Sequence, residues 1–305
     1  MNALLPLDQL SSILPVDQPF TPAMARTEGI GRAALERMLR DGTLRRVLRG
    51  VYVSGITPDS FRLRAAALRL VVARDALVVD RTAGWLHGVE ACTPGEKLPP
   101  FDVLSPRRRS APHVGGRHLV ARDVMTVDGL LVTTPLRTAL DLGRTLRPGA
   151  ALATLDQLLA SGSFAHTQLL AELPRFAGHR GIGQLRTLAA QADARAEGQG
   201  ESELRLHWHQ AELPTAVPGH LVSTGRRHVR LALGIEARRF GAALAHQITA
   251  DDLLALEGAG WRVVVLAQTR LLHTDPALWV RHLEREWHQH LLAEVVREER
   301  CERRA

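Results

Sequence analysis

Arginine is concentrated in one short stretch near the amino terminus, and its side chain suits the recognition of phosphates and base edges. Between residues 32 and 49, six arginines stand against two acids, for a net charge of +4. The arginines are Arg32, Arg37, Arg40, Arg45, Arg46 and Arg49, and the acids are Glu36 and Asp41. A guanidinium can donate two parallel hydrogen bonds to a phosphate or to a guanine edge. The stretch therefore indicates a nucleic-acid contact, with a solvated basic face on an ordinary helical hairpin as the alternative.

Two short helices are predicted to position the first of these arginines. Thr21 followed by Pro22 predicts a helix start, because the hydroxyl caps the helix and proline loses no needed donor there. Gly29 and Gly31 predict a sharp turn, and a second helix is expected over residues 32–41. The apolar residues of that helix recur at helical spacing and are expected to be buried. They are Leu35, Met38 and Leu39.

Two extended runs follow, residues 44–48 and 51–53, and they predict a small β-hairpin. Helix, turn, helix and hairpin in this order describe a winged helix-turn-helix. In that arrangement the front of the second helix approaches base edges, while the wing contacts the backbone. The residues expected at base edges are Arg32, Ala33, Glu36 and Arg37. Those expected at phosphates are Arg40, Arg45, Arg46 and Arg49.

Other residues with suggestive chemistry give weaker indications. Arg107, Arg108 and Arg109 form a basic loop that either contacts phosphate or is solvated. His87 is expected to be a partly buried histidine with a hydrogen-bond partner.

Histidines near the carboxyl terminus raise the question of a zinc site. His282 and Glu286 share a helix face, but His288 and His290 diverge from each other because residues two apart do not face the same way. The run at residues 207–209 fails for the same reason. No metal site and no cofactor are therefore expected.

Composition narrows the class of protein. The 305 residues include 39 basic and 32 acidic side chains, for a net charge of +7, and Lys97 is the only lysine. Cys92 and Cys301 are too few and too distant for a disulfide framework, so a reducing cytoplasm is expected. No apolar run reaches membrane-spanning length, and no secretory signal is recognised.

The chain is expected to be an α/β protein, α+β overall, in three parts. These parts are a winged helix-turn-helix at residues 1–57, a mixed and then helical region at 58–195, and a small α/β domain at 201–305. A helix is predicted over residues 1–19, and residues 194–200 are the candidate linker. In the middle part, short strands are predicted at 101–104, 118–120 and 130–132, followed by a helix at 136–144.

Three segments together resemble the actinobacterial relatives of the AbiEi antitoxin and transcriptional regulator. They are LRRVLRGVYV (Leu44 to Val53), RTAGWLHG (Arg81 to Gly88) and VDGLLVTTPLRTALDL (Val127 to Leu142). The resemblance implies sequence-specific binding to double-stranded DNA. It also implies a type IV toxin–antitoxin system, in which the antitoxin represses its own operon. The implied toxin is a nucleotidyltransferase-like protein that the antitoxin opposes without a stable complex.

The last third resembles restriction-endonuclease-like domains of the very-short-patch-repair type, through GESELRLHW (Gly200 to Trp208) and GWRVVVL (Gly260 to Leu266). In that family a helix glutamate and three strand acids hold a divalent metal. Glu201 matches the glutamate, whereas Ala232, Ala243 and Ala245 stand where the other acids are expected. The resemblance thus implies a degenerate, inactive nuclease fold. The alternative is a metal-dependent DNA endonuclease that uses Glu201 with other acids, such as Glu236, Asp251 or Asp252.

Overall fold

The computed structural model describes residues 17–89, 98–105, 118–211, 213–225 and 227–302, with the last six of these described by backbone alone. Most of the helix predicted at 1–19 and the whole Arg107–Arg109 loop lie outside these ranges. The chain divides into two compact units, Met1–Leu142 and Gly143–Ala305. Helices and small sheets occur in both units, which confirms the α+β class. In the described ranges, no helix is long and apolar enough to cross a membrane.

The first unit begins with the predicted winged helix-turn-helix. Its elements are α1 (Pro22–Thr27), α2 (Arg32–Arg40), β1 (Leu44–Leu48) and β2 (Val51–Ser54). The predicted cap is present, since the Met24 amide donates to Thr21 Oγ1 at 3.3 Å. Phe20 exchanges backbone hydrogen bonds with Tyr52, so the segment before α1 joins the hairpin.

A second layer of the first unit packs around a four-stranded sheet. Its elements are α3 (Phe61–Arg69), β3 (Leu77–Val78), α4 (Asp80–Leu86), β4 (Val103–Leu104), β5 (Val124–Val127) and β6 (Leu130–Thr133). The strand order is β4-β3-β6-β5, with β3 and β6 parallel and the other pairs antiparallel.

The strand predicted at residues 118–120 is wrong. Val124–Val127 pairs with β6 instead, and residues 118–120 are not in a strand. The Val120 amide donates to Asp123 Oδ2 at 3.0 Å, and a 3-10 turn follows over Ala121–Asp123. Because this side chain takes the Val120 donor, that amide has no hydrogen bond left for a sheet partner.

Helix α5 (Pro135–Thr145) runs across the division, and the second unit then continues with helices. They are α6 (Pro148–Ala160), α7 (His166–Glu172), α8 (Ile182–Gln191) and α9 (Gly198–Gln210). The remaining elements are β7 (Val217–Ser223), β8 (His228–Ile235), β9 (Phe240–Leu244), α10 (Ala250–Gly258), β10 (Arg262–Leu266), α11 (Gln268–His273) and α12 (Pro276–Glu302). Helices followed by a small α/β arrangement agree with the expectation for this half of the chain.

The four strands of the second unit form one mixed sheet in the order β10-β9-β8-β7. Strands β7, β8 and β9 are antiparallel, and β10 is parallel to β9 after the crossover through α10. Leu204 and Trp208 of α9 and Trp279 of α12 belong to its apolar core.

Hydrogen bonds connect the helices and the sheet of the second unit across residues 194–200. Asp156 of α6 is fully buried and accepts hydrogen bonds from the Asp193 amide (2.8 Å), Ser202 Oγ (2.6 Å) and Arg205 Nη2 (2.6 and 2.7 Å). Burial raises the pKa of Asp156, against the lowering effect of Arg205. The predicted boundary therefore lies inside the second unit, where α6 and α9 share a buried ion pair.

Candidate nucleic-acid interface

A small apolar core fixes which face of α2 is exposed. Its buried members are Phe20, Ala25, Ile30, Leu35, Met38 and Leu44. Gly29 has φ +80°, which permits the turn that brings the Ile30 amide to the carbonyl oxygen of Ala25 (2.9 Å). Since Leu35 and Met38 point inward, the opposite side of α2 faces solvent.

The exposed face of α2 carries the residues that were expected at base edges. Arg32 Nε donates to Glu36 Oε1 at 2.8 Å, and these side chains are 91% and 55% exposed. That hydrogen bond with Glu36 raises the pKa of Arg32. Ala33 and Arg40 are also exposed, and Arg37 is half-buried. The structure thus brings Arg32, Ala33, Glu36 and Arg40 to the solvent.

The hairpin directs its arginines to different sides. Arg46 is exposed, and its guanidinium carbon lies 5.6 Å from the centre of the Tyr52 ring. Arg45 is half-buried, and its Nη2 donates to the carbonyl oxygen of Thr57 at 2.9 Å. Arg49 is exposed at the turn. Arg46 and Arg49 are therefore open to a partner, whereas Arg45 is engaged with the chain's own backbone.

Tyr52 was not singled out from the sequence, although it supports the wing. Its ring packs against Phe20 (centroid distance 6.2 Å) as well as under Arg46. An aromatic residue directly opposite an arginine on a predicted hairpin was the available signal, since cross-strand pairs interact.

The RTAGWLHG segment has structural roles around α4. Thr82 Oγ1 donates to the carbonyl oxygen of Pro100 (2.7 Å) and accepts from the Asp102 amide (2.6 Å). His87 Nε2 bonds to the carbonyl oxygen of Thr133 (2.8 Å), so Nε2 carries the proton. Burial lowers the pKa of His87, with the opposing effect of that hydrogen bond. His87 is thus a satisfied histidine, as expected.

The polar residues of VDGLLVTTPLRTALDL form a buried network beside β6. Arg137 donates from Nε and Nη2 to the two carboxylate oxygens of Asp141 (2.9 and 3.1 Å). Its Nη1 donates to Asp123 Oδ2 (3.0 Å) and to the carbonyl oxygen of His118 (2.8 Å). Thr133 and Thr138 share a hydroxyl hydrogen bond at 2.8 Å. The motif therefore secures α5 to the sheet of the first unit.

The acid that matches the nuclease glutamate in the sequence comparison, Glu201, is engaged by an arginine. Glu201 is 1% exposed, and its two carboxylate oxygens accept from Arg230 Nη1 (2.6 Å) and Nη2 (2.8 Å). The Glu197 amide donates to the same carboxylate at 2.8 Å. Glu201 raises the pKa of Arg230, mainly because its carboxylate accepts hydrogen bonds from the Arg230 guanidinium. The carboxylate that could hold a cation is thus neutralised by a guanidinium.

Alanine stands at the three positions where the resemblance expects the other acids. Ala232 and Ala243 are buried, and Ala245 is exposed. In the described ranges, no group of three or more His, Cys, Asp or Glu side chains is arranged to hold a metal ion.

The acids that the alternative endonuclease hypothesis would use have other partners or are exposed to solvent. Glu236 Oε2 bonds to His220 Nε2 at 2.6 Å. Asp252 caps α10 by accepting from the amide and the hydroxyl of Thr249 (2.9 and 2.6 Å). Asp251 is exposed in the first turn of α10.

The histidines of α12 do not converge. His282 Nδ1 lies 4.0 Å from Glu286 Oε1, and Glu286 also pairs with Arg262 at 2.5 Å. His290 Nε2 bonds to the carbonyl oxygen of Arg238 at 2.7 Å. His288 Nδ1 bonds to its own helix backbone at 2.7 Å.

Comparisons with known proteins give matches over most of the chain. A family described as "Transcriptional regulator, AbiEi antitoxin" matches residues 17–55, and one described as "AbiEi antitoxin C-terminal domain" matches residues 76–190. Two uncharacterized proteins of Mycobacterium tuberculosis, from strains CDC 1551 / Oshkosh and H37Rv, are each 32% identical over 246 residues. Each alignment covers 76% of this chain and 89% of the relative. No solved structure matches the chain.

The first family match coincides with the winged helix-turn-helix, and the second includes both RTAGWLHG and the buried Arg137 network. The matched residues end at 190, so the resemblance of the last third to very-short-patch-repair nucleases stays a prediction. The segments that suggested the resemblance thus lie inside the matched ranges, and the chain belongs to the AbiEi antitoxin and transcriptional regulator family.

Proposed function

We propose that the protein is a sequence-specific DNA-binding regulator that represses its own operon as the antitoxin of a type IV toxin–antitoxin system. The observation that carries the proposal is the winged helix-turn-helix whose α2 and wing present arginines to solvent. In this fold the N-terminal residues of the second helix enter the major groove, while wing residues hold the backbone.

The charge of the exposed face supports binding to a polyanion. Arg40, Arg46 and Arg49 are exposed cations, and contact with phosphates would release condensed counterions. Arg45 supports the base of the wing through Thr57, so its share in phosphate contact is smaller than that of Arg46.

A gel-shift titration against the protein's own promoter region tests this function. We expect preference for that DNA over a random duplex of equal length, and an affinity that falls steeply as salt rises. The matched control is the variant Arg46→Ala with Arg49→Ala, which should bind both duplexes more weakly. Equal affinity of the unaltered protein for both duplexes at moderate salt would exclude the regulator function.

The functional partner that we propose is a nucleotidyltransferase-like toxin encoded in the same operon and opposed without a stable complex. Co-expression should restore growth that the toxin arrests, while the two purified proteins should elute separately. A stable co-eluting complex would contradict the type IV assignment.

We further propose that the last third of the chain has no nuclease activity. The Glu201–Arg230 pair and the alanines at 232, 243 and 245 support this proposal, because a hard cation needs several free oxygen ligands. Plasmid DNA incubated with the protein and Mg²⁺ or Mn²⁺ should stay intact. Nicking that disappears in Glu201→Ala would favour the endonuclease instead.

A further inference from the structure

The ion pair at the start of α2 stands in an orientation that does not favour helix stability. Arg32 is the first residue of α2 and Glu36 lies one turn later, so the cation is nearer the positive end of the helix dipole. A glutamate placed before a basic residue would be the better order on a helix. The first turn of α2 contains no acid, and Gly31 provides no side-chain cap. The arrangement is thus suited to meeting an anionic partner at this helix end.

The ion pair also leaves the two terminal nitrogens of the Arg32 guanidinium available to a partner. Glu36 accepts from Nε of Arg32, and among the described residues the terminal nitrogens Nη1 and Nη2 have no hydrogen-bond acceptor. These two nitrogens are the pair that can donate side by side to O6 and N7 of a guanine in the major groove. A carboxylate on Nε restricts the rotation of the guanidinium, so less side-chain entropy is lost when the base is bound.

We propose that Arg32, oriented by Glu36, reads a guanine in the operator, an inference that rests on the DNA binding proposed above. Arg32 is a specificity-determining residue, and Glu36 is a positioning residue that acts through it. Glu36 also opposes phosphate, so it weakens binding to DNA that lacks the guanine.

Arg40 provides a matched comparison on the same helix. It is exposed like Arg32 but lies at the carboxyl-terminal end of α2, and within the described residues its guanidinium has no carboxylate hydrogen bond. Replacing arginine by lysine keeps the charge and removes the planar fork. The same substitution at the two positions therefore separates base reading from general attraction to phosphate.

The experiment is selection from a random duplex library with the full chain and with the variants Arg32→Lys, Glu36→Gln and Arg40→Lys. The unaltered protein and Arg40→Lys should select the same guanine, and Arg32→Lys should lose it. For the selected duplex, Arg32→Lys should bind about 5- to 150-fold more weakly, the range that one bidentate arginine–guanine contact contributes. Its affinity for random duplex should stay close to that of the unaltered protein.

Two further measurements distinguish a role of Arg32 and Glu36 in DNA recognition from a purely structural role. Replacing the selected guanine by 7-deazaguanine, which lacks the N7 acceptor, should weaken the unaltered protein and leave Arg32→Lys unchanged. Glu36→Gln should bind random duplex more tightly and with a steeper salt dependence, because one negative charge is gone. Melting temperatures of all variants should match that of the unaltered protein.

The outcomes distinguish this inference from the proposed function. If the unaltered protein selects a consensus and Arg32→Lys selects the same one, the guanine assignment is wrong and the regulator function stands. If the unaltered protein selects no consensus, sequence-specific regulation fails and the guanine assignment fails with it. A weaker, rather than tighter, binding of Glu36→Gln to random duplex would show that Glu36 does not oppose phosphate.

Discussion

Replacing Glu201 by glutamine tests whether this residue is structural or a remnant that still works as a metal ligand. The buried carboxylate accepts three hydrogen bonds, two from Arg230 and one from the Glu197 amide. A glutamine would turn an NH₂ group toward a guanidinium and remove the charge that pairs with it. Hydrogen bonds to charged groups contribute about 1.5–3 kcal/mol each, and breaking a fully buried pair costs about 3–5 kcal/mol.

The expected loss lies below the sum of these terms. The Arg230 side chain is 24% exposed and keeps a hydrogen bond to the carbonyl oxygen of Arg195, so it is partly rehydrated and partly satisfied. We therefore expect Glu201→Gln to lower the free energy of unfolding by about 2–4 kcal/mol, within the range for a broken buried network. At about 2–4 °C per kcal/mol this corresponds to a Tm that is roughly 4–16 °C lower. Glu203→Gln on the same helix is the control and should cost less than about 1 kcal/mol, because its pair with His207 is longer at 3.4 Å.

Thermal unfolding with and without Mg²⁺ completes this test. A site with a Kd of about 1 mM would gain roughly 1.4 kcal/mol at about 10 mM Mg²⁺, which is a Tm rise of several degrees. We expect no such rise in the unaltered protein, because Arg230 already neutralises Glu201. The reasoning is refuted if Mg²⁺ raises the Tm of the unaltered protein and not that of Glu201→Gln, or if Glu201→Gln unfolds like the control.

Three further outcomes are expected. Arg37→Ala should reduce discrimination between operator and random DNA by about 1–3 kcal/mol. Arg46→Ala should weaken binding to both duplexes equally and make the affinity less dependent on salt, which titrations at two salt concentrations measure. Asp156→Ala should lower the free energy of unfolding by about 3–5 kcal/mol in denaturant titrations, because Arg205 would remain buried without its acceptor. Burial lowers the pKa of His87 in the folded state, so the unaltered protein should lose stability as pH falls below 6.5. His87→Gln should keep the hydrogen-bond donor to the backbone but remove this pH dependence of the free energy of unfolding.

Each of these outcomes has a contrary result. Equal losses for the two arginine variants on both duplexes would mean that another face of the domain contacts DNA. A double variant with Asp156→Leu and Arg205→Met should recover most of the stability, and its failure to do so would contradict the ion-pair explanation. Unchanged pH dependence in His87→Gln, measured by urea unfolding above pH 7 and at about pH 5.5, would assign that dependence to other groups.

The winged helix-turn-helix could be predicted because its signals are local. Capping at Thr21, glycine at position 29 and the helical spacing of Leu35 and Met38 fix the turn and the exposed face of α2 within a few residues. The exposure of Arg32 and Glu36 follows from that spacing. Their hydrogen bond is also a local, one-turn contact, although its effect on the free fork of Arg32 needed the structure.

The features that sequence reasoning missed depend on which partner a polar group finds, and two of the three partners are distant in sequence. Residues 118–120 have the composition of a strand, but Asp123 takes the Val120 amide and the strand forms later at 124–127. Arg45 and Arg46 are adjacent in one predicted strand and were given the same role. Arg45 Nη2 nevertheless donates to the carbonyl oxygen of Thr57, twelve residues away. The engagement of Glu201 by Arg230 joins residues 29 apart and could not be read from either motif.

The segment around residue 195 shows how composition can mislead about a boundary. Its small and polar residues are typical of a linker, but the Asp193 amide bonds to Asp156, and the Arg195 carbonyl oxygen accepts from Arg230. Backbone groups engaged in this way belong to a packed unit rather than to a flexible connection.

The buried pair between α6 and α9 restricts how this chain can be rearranged by recombination. A gene truncation after residue 195 would remove Ser202 and Arg205, which supply three of the four hydrogen bonds that Asp156 accepts, although the matched family range ends before that point. The helices around α6 and the sheet of the second unit would therefore be inherited together. A homologue that lacks the sheet domain has no arginine partner for this carboxylate and should not need an acid at the position of Asp156.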